Sequence, residues 1–209
     1  MKNTWLVRPN PHEIKRIDEF RTQEIIAVGW PGIGDLTGKS REDIKQILIG
    51  KPYELSGLSL GNAYPQLDFF VNKIKIGDIV LVPNGADILL GEITSEYYME
   101  PQYDSMEVGY SHQHKVKWLR TVSRNDLSQH LRTSLKVRRS VADLTKHSEE
   151  ISALAHGISY EPQTNQNEVI TVSYPLRRDF MIHFELPANI TKEEAKRLAQ
   201  HFETLYFTE

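Results

Sequence analysis

The sequence predicts an α+β protein: a small twisted β-barrel flanked by helices, followed by a separate ββα unit. The first observation is a hairpin within 75–98 whose two strands are apolar on both faces, which is typical of strands inside a covered sheet. The second is that further strand-like segments alternate with segments of helical periodicity up to residue 156. The third is a polar stretch at 157–168 that precedes two more strands and a helix.

The N-terminal segment predicts two strands, at 4–8 and 24–29, with a short amphipathic helix at 12–20 between them. The second strand leads into a glycine-rich loop that begins at Trp30. Ser40 is expected to cap a helix, because acidic residues follow it in what would be the first turn. The remaining elements predicted for this domain are a loop at 50–61, helices at 62–74, 125–137 and 140–154, and a strand at 110–122.

The C-terminal segment predicts strands at 168–174 and 179–186 and a helix opened by a capping box of Thr191 and Glu194. Its predicted buried side is Ala195, Leu198, Phe202, Leu205 and Tyr206. Two strands and one helix are too little to be stable alone, so we expect this unit to dock on the first domain, a protein partner or its own copy. The predicted division is a domain at 1–156, a linker at 157–168 and a docking unit at 169–209.

Composition narrows the functional classes. The chain has 209 residues, of which 39% are hydrophobic and 25% charged, and this is ordinary for a soluble protein. The absence of cysteine excludes disulfides, thiolate nucleophiles and zinc sites that use sulfur. No apolar run approaches the ~18 residues that span a bilayer, and the N-terminus lacks the apolar core of a signal peptide. We therefore expect a cytoplasmic protein without membrane association.

The charge of the chain is segregated. The segment 115–139 contains eight Lys and Arg residues and one acid, a charge of +7, so the rest of the chain carries −10. Such a segment favours contact with a polyanion, although a solvated helix face is the alternative. The residues we expect to contact phosphates are Lys115, Lys117, Arg120, Arg138 and Arg139.

Motifs of catalysis are weak. The segment from Gly32 to Ser40 resembles a phosphate-binding loop, but the motif requires a glycine where Ile33 stands. His112 and His114 share a strand face and would hold a metal only with a third ligand, for which spacing offers no candidate; the alternative is a polar pair near a basic surface. Signatures of metal-dependent nucleases and serine hydrolases are absent. We therefore predict no catalytic residues, metal or cofactor.

Several aromatic residues stand at the ends of predicted elements, whereas core aromatics usually lie inside them. Trp30 follows a strand and cannot continue it because Pro31 comes next, so we expect it to line a pocket. Tyr64 stands near a predicted helix start, and Tyr97 and Tyr98 follow the hairpin, where their ring faces would lie at the rim of a barrel. An aromatic pocket beside a basic stretch is the arrangement of a base-stacking site.

A set of short motifs resembles the EVE domain of the PUA-like superfamily, and also the N-terminal modules of modification-dependent restriction and Mrr-like defence proteins. The motifs are Trp5-Leu6-Val7, Trp30-Pro31-Gly32, Asn62-Ala63-Tyr64 opening a helix, Lys75-Ile76-Gly77-Asp78 before the hairpin, and Gly91-Glu92-Ile93. The resemblance covers about residues 4–145. It implies a twisted β-barrel that holds a flipped and often modified base in an aromatic pocket.

Transferred to this chain, the resemblance implies a pocket that includes Trp30 and Asn62, with Tyr97 or Tyr98 nearby and Tyr64 beside them. The loop after Trp30 is longer than in the EVE pattern. The leading hypothesis is a non-catalytic nucleic-acid-binding module in a restriction or defence context, with DNA rather than RNA as its ligand. The alternatives are an interaction adaptor of a defence system, which would use 169–209, and a hydrolase or nuclease.

Overall fold

The computed structural model of the protein describes residues 2–160 and 169–204. The chain divides into two compact units, Met1–Tyr160 and Glu161–Glu209, which are described separately. Most of the predicted linker, from 161 onward, and two residues of the predicted buried helix face, Leu205 and Tyr206, lie outside the described residues.

The elements within the described residues alternate strands and helices. The strands are β1 (Thr4–Val7), β2 (Ile25–Val28), β3 (Ile79–Asn84), β4 (Asp87–Ile93), β5 (Tyr98–Met99), β6 (His112–Ser123), β7 (Val141–Asp143), β8 (Val169–Arg177) and β9 (Phe180–Pro187). The α-helices are α1 (Ile17–Thr22), α2 (Arg41–Ile49), α3 (Gly57–Asp68), α4 (Gln129–Ser134), α5 (Ser148–His156) and α6 (Lys192–Glu203). Among these residues no helix is long and apolar enough to cross a membrane.

The first unit is built on a seven-stranded sheet that curls into a half-barrel with helices on both sides. The strand order is β2-β6-β4-β3-β1-β7, with β5 added to β6. Neighbouring strands are antiparallel except for β1 and β3, which are parallel. The long strand β6 pairs with β2 in its first third and with β4 from Val116 onward, so it carries the sheet around its bend. The terminal strands of the half-barrel are β2 and β7.

A bulge at Leu90 and Gly91 sets the curvature of β6 against β4. Gly91 is required there because a Cβ atom would collide with Val116 and with the ring of Trp118. Val116 and Trp118 therefore face one side of the sheet, whereas Val122 beyond the bulge faces the other.

The core consists of two hydrophobic clusters, one on each side of the sheet. The first lies under α1, α2 and α3 and includes Phe20, Leu48 and Leu67, while the second lies under α4 and α5 and includes Leu131 and Ile151. The hairpin of β3 and β4 contributes alternate residues to both clusters. Its strands are apolar on both faces for this reason, and the predicted central hairpin is confirmed.

Four predicted helices differ from the structure. The helix predicted at 62–74 begins at Gly57 and ends in a π-helical turn, Phe69–Lys73. The helix predicted at 140–154 begins as strand β7, because the apolar Val141 and Ala142 pair with β1. The helix predicted at 12–20 starts at Ile17, since His12 has a left-handed backbone. The helix predicted at 125–137 is reduced to a 3₁₀ turn at its start and α4, Gln129–Ser134.

The second unit is a ββα arrangement, as predicted. Thr191 caps α6 through a reciprocal capping box with Glu194. The turn of the hairpin lies at Arg178 and Asp179, slightly later than predicted, after a bulge in β8. None of the described residues of this unit is buried. The apolar residues exposed here are Val169, Ile170, Tyr174, Leu176, Phe180, Met181 and Phe202.

Candidate functional site

A cavity of about 380 Å³ lies in the seam of the half-barrel, where the terminal strands β2 and β7 face each other. We call it the seam cavity. Its wall combines strand residues, the end of β1, the segment after it and part of α3. The lining residues are Arg8, Asn10, Pro11, His12, Glu13, Ala27, Val28, Gly29, Trp30, Tyr53, Gln66, Leu67, Ser140 and Val141.

Two aromatic rings form one corner of the seam cavity. Trp30 is half-buried, and its ring meets that of Tyr53 edge to face, with ring centroids 5.0 Å apart at 66°. The Tyr53 hydroxyl donates to the carbonyl of Pro31 at 2.9 Å. Burial raises the pKa of Tyr53 to about 12, so this phenol remains a hydrogen-bond donor at neutral pH. The corner therefore has a fixed geometry.

The loop that carries Trp30 is strained and held from several elements. Trp30 has φ 82°, a left-handed conformation that costs of order 1–3 kcal/mol in a residue other than glycine. Its carbonyl lies 3.4 Å from Nε2 of His112, on β6. The next residues are held by Tyr53 and by Asp104, whose carboxylate accepts the N–H of Gly32 at 2.9 Å. Such strain persists only where the surroundings enforce it, and it concentrates at functional sites.

The segment after β1 shows the same strain. His12 and Glu13 have φ 49° and 63°, so three of the five non-glycine residues with positive φ in the described part of the chain line the seam cavity. His12 fits only because glycines stand beside it: a Cβ at Gly29 would lie 2.6 Å from the backbone nitrogen of His12, and one at Gly109 2.6 Å from its Cβ. The fold thus holds an imidazole at the cavity at the cost of backbone strain.

The polar groups of the seam cavity fall into two classes. Gln66 is fully engaged, since its Oε1 accepts the N–H groups of Ser140 and Val141 at 2.6 and 3.2 Å and its Nε2 donates to the carbonyl of Asn62 at 2.6 Å. By contrast, the side chains of Asn10, His12 and Glu13 and the indole N–H of Trp30 form no hydrogen bond within residues 2–160 and 169–204. These groups can bond a ligand that has both donors and acceptors.

Of the five residues predicted for the pocket, Trp30 lines the seam cavity. Asn62 and Tyr64 lie within α3, which has already begun at Gly57, so they do not open a helix as predicted. Asn62 is exposed, and the half-buried ring of Tyr64 packs under the guanidinium of Arg41, 5.1 Å from its centroid. Neither residue lines the cavity.

Tyr97 and Tyr98 also lie away from the seam cavity. Tyr97 is buried, its hydroxyl lies 2.7 Å from Nδ1 of His112, and burial raises its pKa far above the ordinary value. The prediction that its ring lies at a barrel rim is therefore wrong. Tyr98 is half-buried, donates to Oε1 of Gln113 at 2.9 Å and lies 5.9 Å under the ammonium of Lys115.

His112 and His114 are buried, so the expectation of two polar histidines near a basic surface is wrong. The first third of β6 lies inside the fold, between β2 and β5. His114 has a carbonyl at each ring nitrogen, Phe70 at 2.7 Å and Ser95 at 3.1 Å, and burial lowers the pKa of both histidines. In the described part of the chain no group of three or more His, Asp or Glu residues could hold a metal ion.

The predicted phosphate contacts separate into two groups. Lys115, Lys117 and Arg120 lie on β6, where Lys117 stands opposite Glu92 and the Arg120 guanidinium lies against Gly157. Glu92 also pairs with Lys2 at 2.9 Å, so part of this charge is neutralised. Arg138 and Arg139 are exposed and directly precede Ser140 of the cavity wall. The second group lies beside the seam cavity, and the first does not line it.

Sequence reasoning missed most of the cavity wall. Arg8, Asn10, His12 and Glu13 follow β1, and their signal was a cluster of polar residues around two prolines directly after an apolar strand. Tyr53 was assigned to an unremarkable loop, although an isolated aromatic in a loop is a usable signal. These wall residues come together only because β7 closes the seam, and the sequence predicts a helix at the position of β7.

Comparisons with known proteins give little functional information. A family model described as a domain of unknown function, DUF8426, matches residues 5–145. A crystal structure of protein Atu2648 from Agrobacterium tumefaciens is similar over 77% of this chain and 97% of its own length, with 14% sequence identity and a TM-score of 0.37. No match was found among curated proteins.

Proposed function

Since the chain belongs to the DUF8426 family of domains of unknown function, we propose its function from the chemistry of the seam cavity. In this proposal the first unit is a non-catalytic nucleic-acid-binding module that holds a single base, flipped out of a duplex or splayed from a strand, in the seam cavity. The base stacks on Trp30, and its edge is bonded by the polar groups of 10–13.

One observation carries the proposal: a strained, fixed aromatic corner stands in a cavity that also contains unpaired donors and acceptors. The volume of about 380 Å³ falls within the ~300–1,000 Å³ of typical small-ligand pockets. A planar heterocycle with polar edges matches this combination, because its faces need aromatic contact and its edges need hydrogen bonds. Asn10 and Glu13 are exposed and His12 is half-buried at this wall, so their side chains are accessible to the edge of such a ring.

Two further features support nucleic acid over a free heterocycle. Arg138 and Arg139 are exposed beside the cavity wall, where the phosphates next to a bound base would lie. The motif resemblance to EVE and PUA-like domains and to modules of modification-dependent restriction proteins agrees with a half-barrel that reads a modified base. On this basis we propose DNA rather than RNA as the ligand, in a restriction or defence context.

The test is a binding screen with short single- and double-stranded DNA and RNA that carry unmodified and modified bases. We expect binding that weakens as salt increases and that prefers one base or modification. The same samples with Mg²⁺ or Mn²⁺ should remain uncleaved. Equal binding of abasic and intact strands would contradict the proposal, and turnover with a metal would support the alternative of a nuclease.

A second candidate function rests on the second unit. Within 169–204 no residue is buried, and seven large apolar side chains are exposed, including Tyr174 and Phe202. Surfaces of this kind usually mark protein contacts. We propose that the unit mediates association with a protein partner or a second copy. A chain truncated after Tyr160 should then lose concentration-dependent association in sedimentation while it keeps nucleic-acid binding. A truncated chain whose concentration-dependent association and melting temperature are unchanged would contradict this role.

A further inference from the structure

Arg8 is a wall residue of the seam cavity that the base-binding proposal does not use. It directly follows β1, and its guanidinium is fixed by three backbone carbonyls of the segment that leads into β7. Nε donates to Arg139 at 3.1 Å, and Nη2 donates to Leu135 at 3.0 Å and to Val137 at 2.6 Å. Nη1 has no hydrogen-bond partner within the described residues. The guanidinium group is therefore held in one orientation, and its Nη1 is available to bond a ligand.

The positive charge of Arg8 is not neutralised by the protein. No carboxylate of the described residues lies within 4.0 Å of it, although Glu13 lines the same cavity. Its charged neighbour is instead a second arginine, Arg124, and partial burial together with the Arg124 charge lowers the pKa of Arg8. Arg8 therefore holds a positive charge without a paired acid at the cavity wall, and an anion bound in the cavity would neutralise this charge.

We infer that the ligand of the seam cavity carries a phosphate, and that Arg8 binds this phosphate through Nη1. The inference rests on the proposed function and sharpens it: the site recognises a nucleotide, base and phosphate together, rather than a free base or nucleoside. Because three carbonyls already orient the guanidinium group of Arg8, its contact with a phosphate requires little ordering of the side chain on binding. The alternative is that Arg8 only clamps the segment from Leu135 to Arg139.

The test titrates the full chain with the four deoxynucleosides, their 5′-monophosphates and inorganic phosphate, at low and at moderate salt, with Trp fluorescence and calorimetry. For each nucleoside that binds, its monophosphate should bind roughly tenfold more tightly. This gain in affinity from the phosphate should decrease as the salt concentration rises. Arg8→Gln should abolish the gain, which is the ratio of the monophosphate and nucleoside affinities measured on the same variant. Arg21→Gln, which removes an exposed arginine of α1 away from the cavity, is the matched control and should keep the gain.

The outcomes separate the inference from the base site itself. Nucleoside binding without a phosphate gain in the wild-type protein would overturn the role of Arg8 and leave the base site intact. Absence of binding by all nucleosides and monophosphates would overturn both. Should Arg8→Gln fail to fold, Arg8→Lys takes its place, because a lysine keeps the charge but cannot bond the three carbonyls and a phosphate together. A reduced gain in affinity from the phosphate supports the inference, and an unchanged gain would assign Arg8 to structure alone.

Discussion

Two aromatic groups of the first unit show opposite uses of the same kind of side chain. At the seam cavity, Trp30 and Tyr53 form a corner in which the indole N–H has no partner within the described residues. In the interior, Tyr97 and His112 form a pair whose polar atoms are all bonded: the Tyr97 hydroxyl lies 2.7 Å from His112 and accepts the N–H of Leu36 at 3.2 Å. The interior pair stabilises the fold, and the corner is the part that we propose as the ligand site.

The two groups are also connected. Nε2 of His112 lies 3.4 Å from the carbonyl of Trp30, while Nδ1 of the same ring faces Tyr97. If Nε2 carries the proton, it donates to Trp30 and Nδ1 accepts the hydroxyl proton of Tyr97, so one neutral tautomer satisfies both contacts. The interior pair thereby helps to hold Trp30 in its strained conformation.

The largest effect should come from the interior pair. Tyr97→Ala removes a buried ring and leaves His112 and the Leu36 N–H without their partner, so we expect a loss of about 3–5 kcal/mol in the free energy of unfolding, measured by urea denaturation. Tyr98→Ala is the control, since that ring is half-buried, and should cost clearly less. Equal losses for the two variants would break the distinction between interior and surface aromatics.

Acid should reduce the stability of the interior. Burial lowers the pKa of His112 and His114 below their ordinary value of 6.5, so the folded protein keeps them neutral while the unfolded chain takes up protons. Their stabilising effect is complete above pH 6.5 and is lost as the pH falls from there toward the folded pKa. Urea midpoints at pH 7.5, 6.5 and 5.5 measure this.

The control for the acid effect is a histidine outside the core. His112→Gln should reduce the slope of stability against pH below 6.5, whereas the exposed His130→Gln should leave it unchanged. The pKa of His147 is also lowered by burial, so this residue contributes to the slope of stability against pH in both variants. An identical slope in His112→Gln and the wild type would mean that this ring does not titrate between the folded and unfolded states.

The smallest effect concerns the two groups of basic residues. Arg138→Ala removes an exposed charge beside the seam cavity and should lower the slope of log affinity against log salt by about one, because one phosphate contact is lost. Lys117→Ala removes a charge that stands opposite Glu92 and should change the slope less. Affinities of both variants for one oligonucleotide, measured at several salt concentrations, test this prediction. A larger change in the slope for Lys117→Ala than for Arg138→Ala would indicate that the phosphates contact β6.

The framework of the fold could be predicted because its signals are local. The hairpin of β3 and β4, the cap at Ser40 and the capping box at Thr191 each depend on residues within a few positions, and all three are confirmed. Short elements made by distant pairing could not be predicted. Strand β7 has three residues and exists because β1 pairs with it, whereas its sequence alone reads as the start of a helix.

The candidate site was only partly predictable for the same reason. Trp30 was recognised because Pro31 and Gly32 end its strand, which is a local signal. The groups around it come from the segment after β1, from α3 and from β7, and only the closure of the half-barrel brings them together. Tyr97 was misplaced because its burial depends on His112, which lies fifteen positions away on β6.

The central claim is that Trp30 binds a base and is not a core residue, and one variant measured in two ways tests it most directly. Trp30→Ala should weaken binding of the preferred oligonucleotide by roughly tenfold to a hundredfold, since stacking contributes about 1–3 kcal/mol per base, while the melting temperature stays near that of the wild type. A strongly lowered melting temperature would show that Trp30 is part of the core. An unchanged melting temperature together with an unchanged affinity would contradict base binding by Trp30.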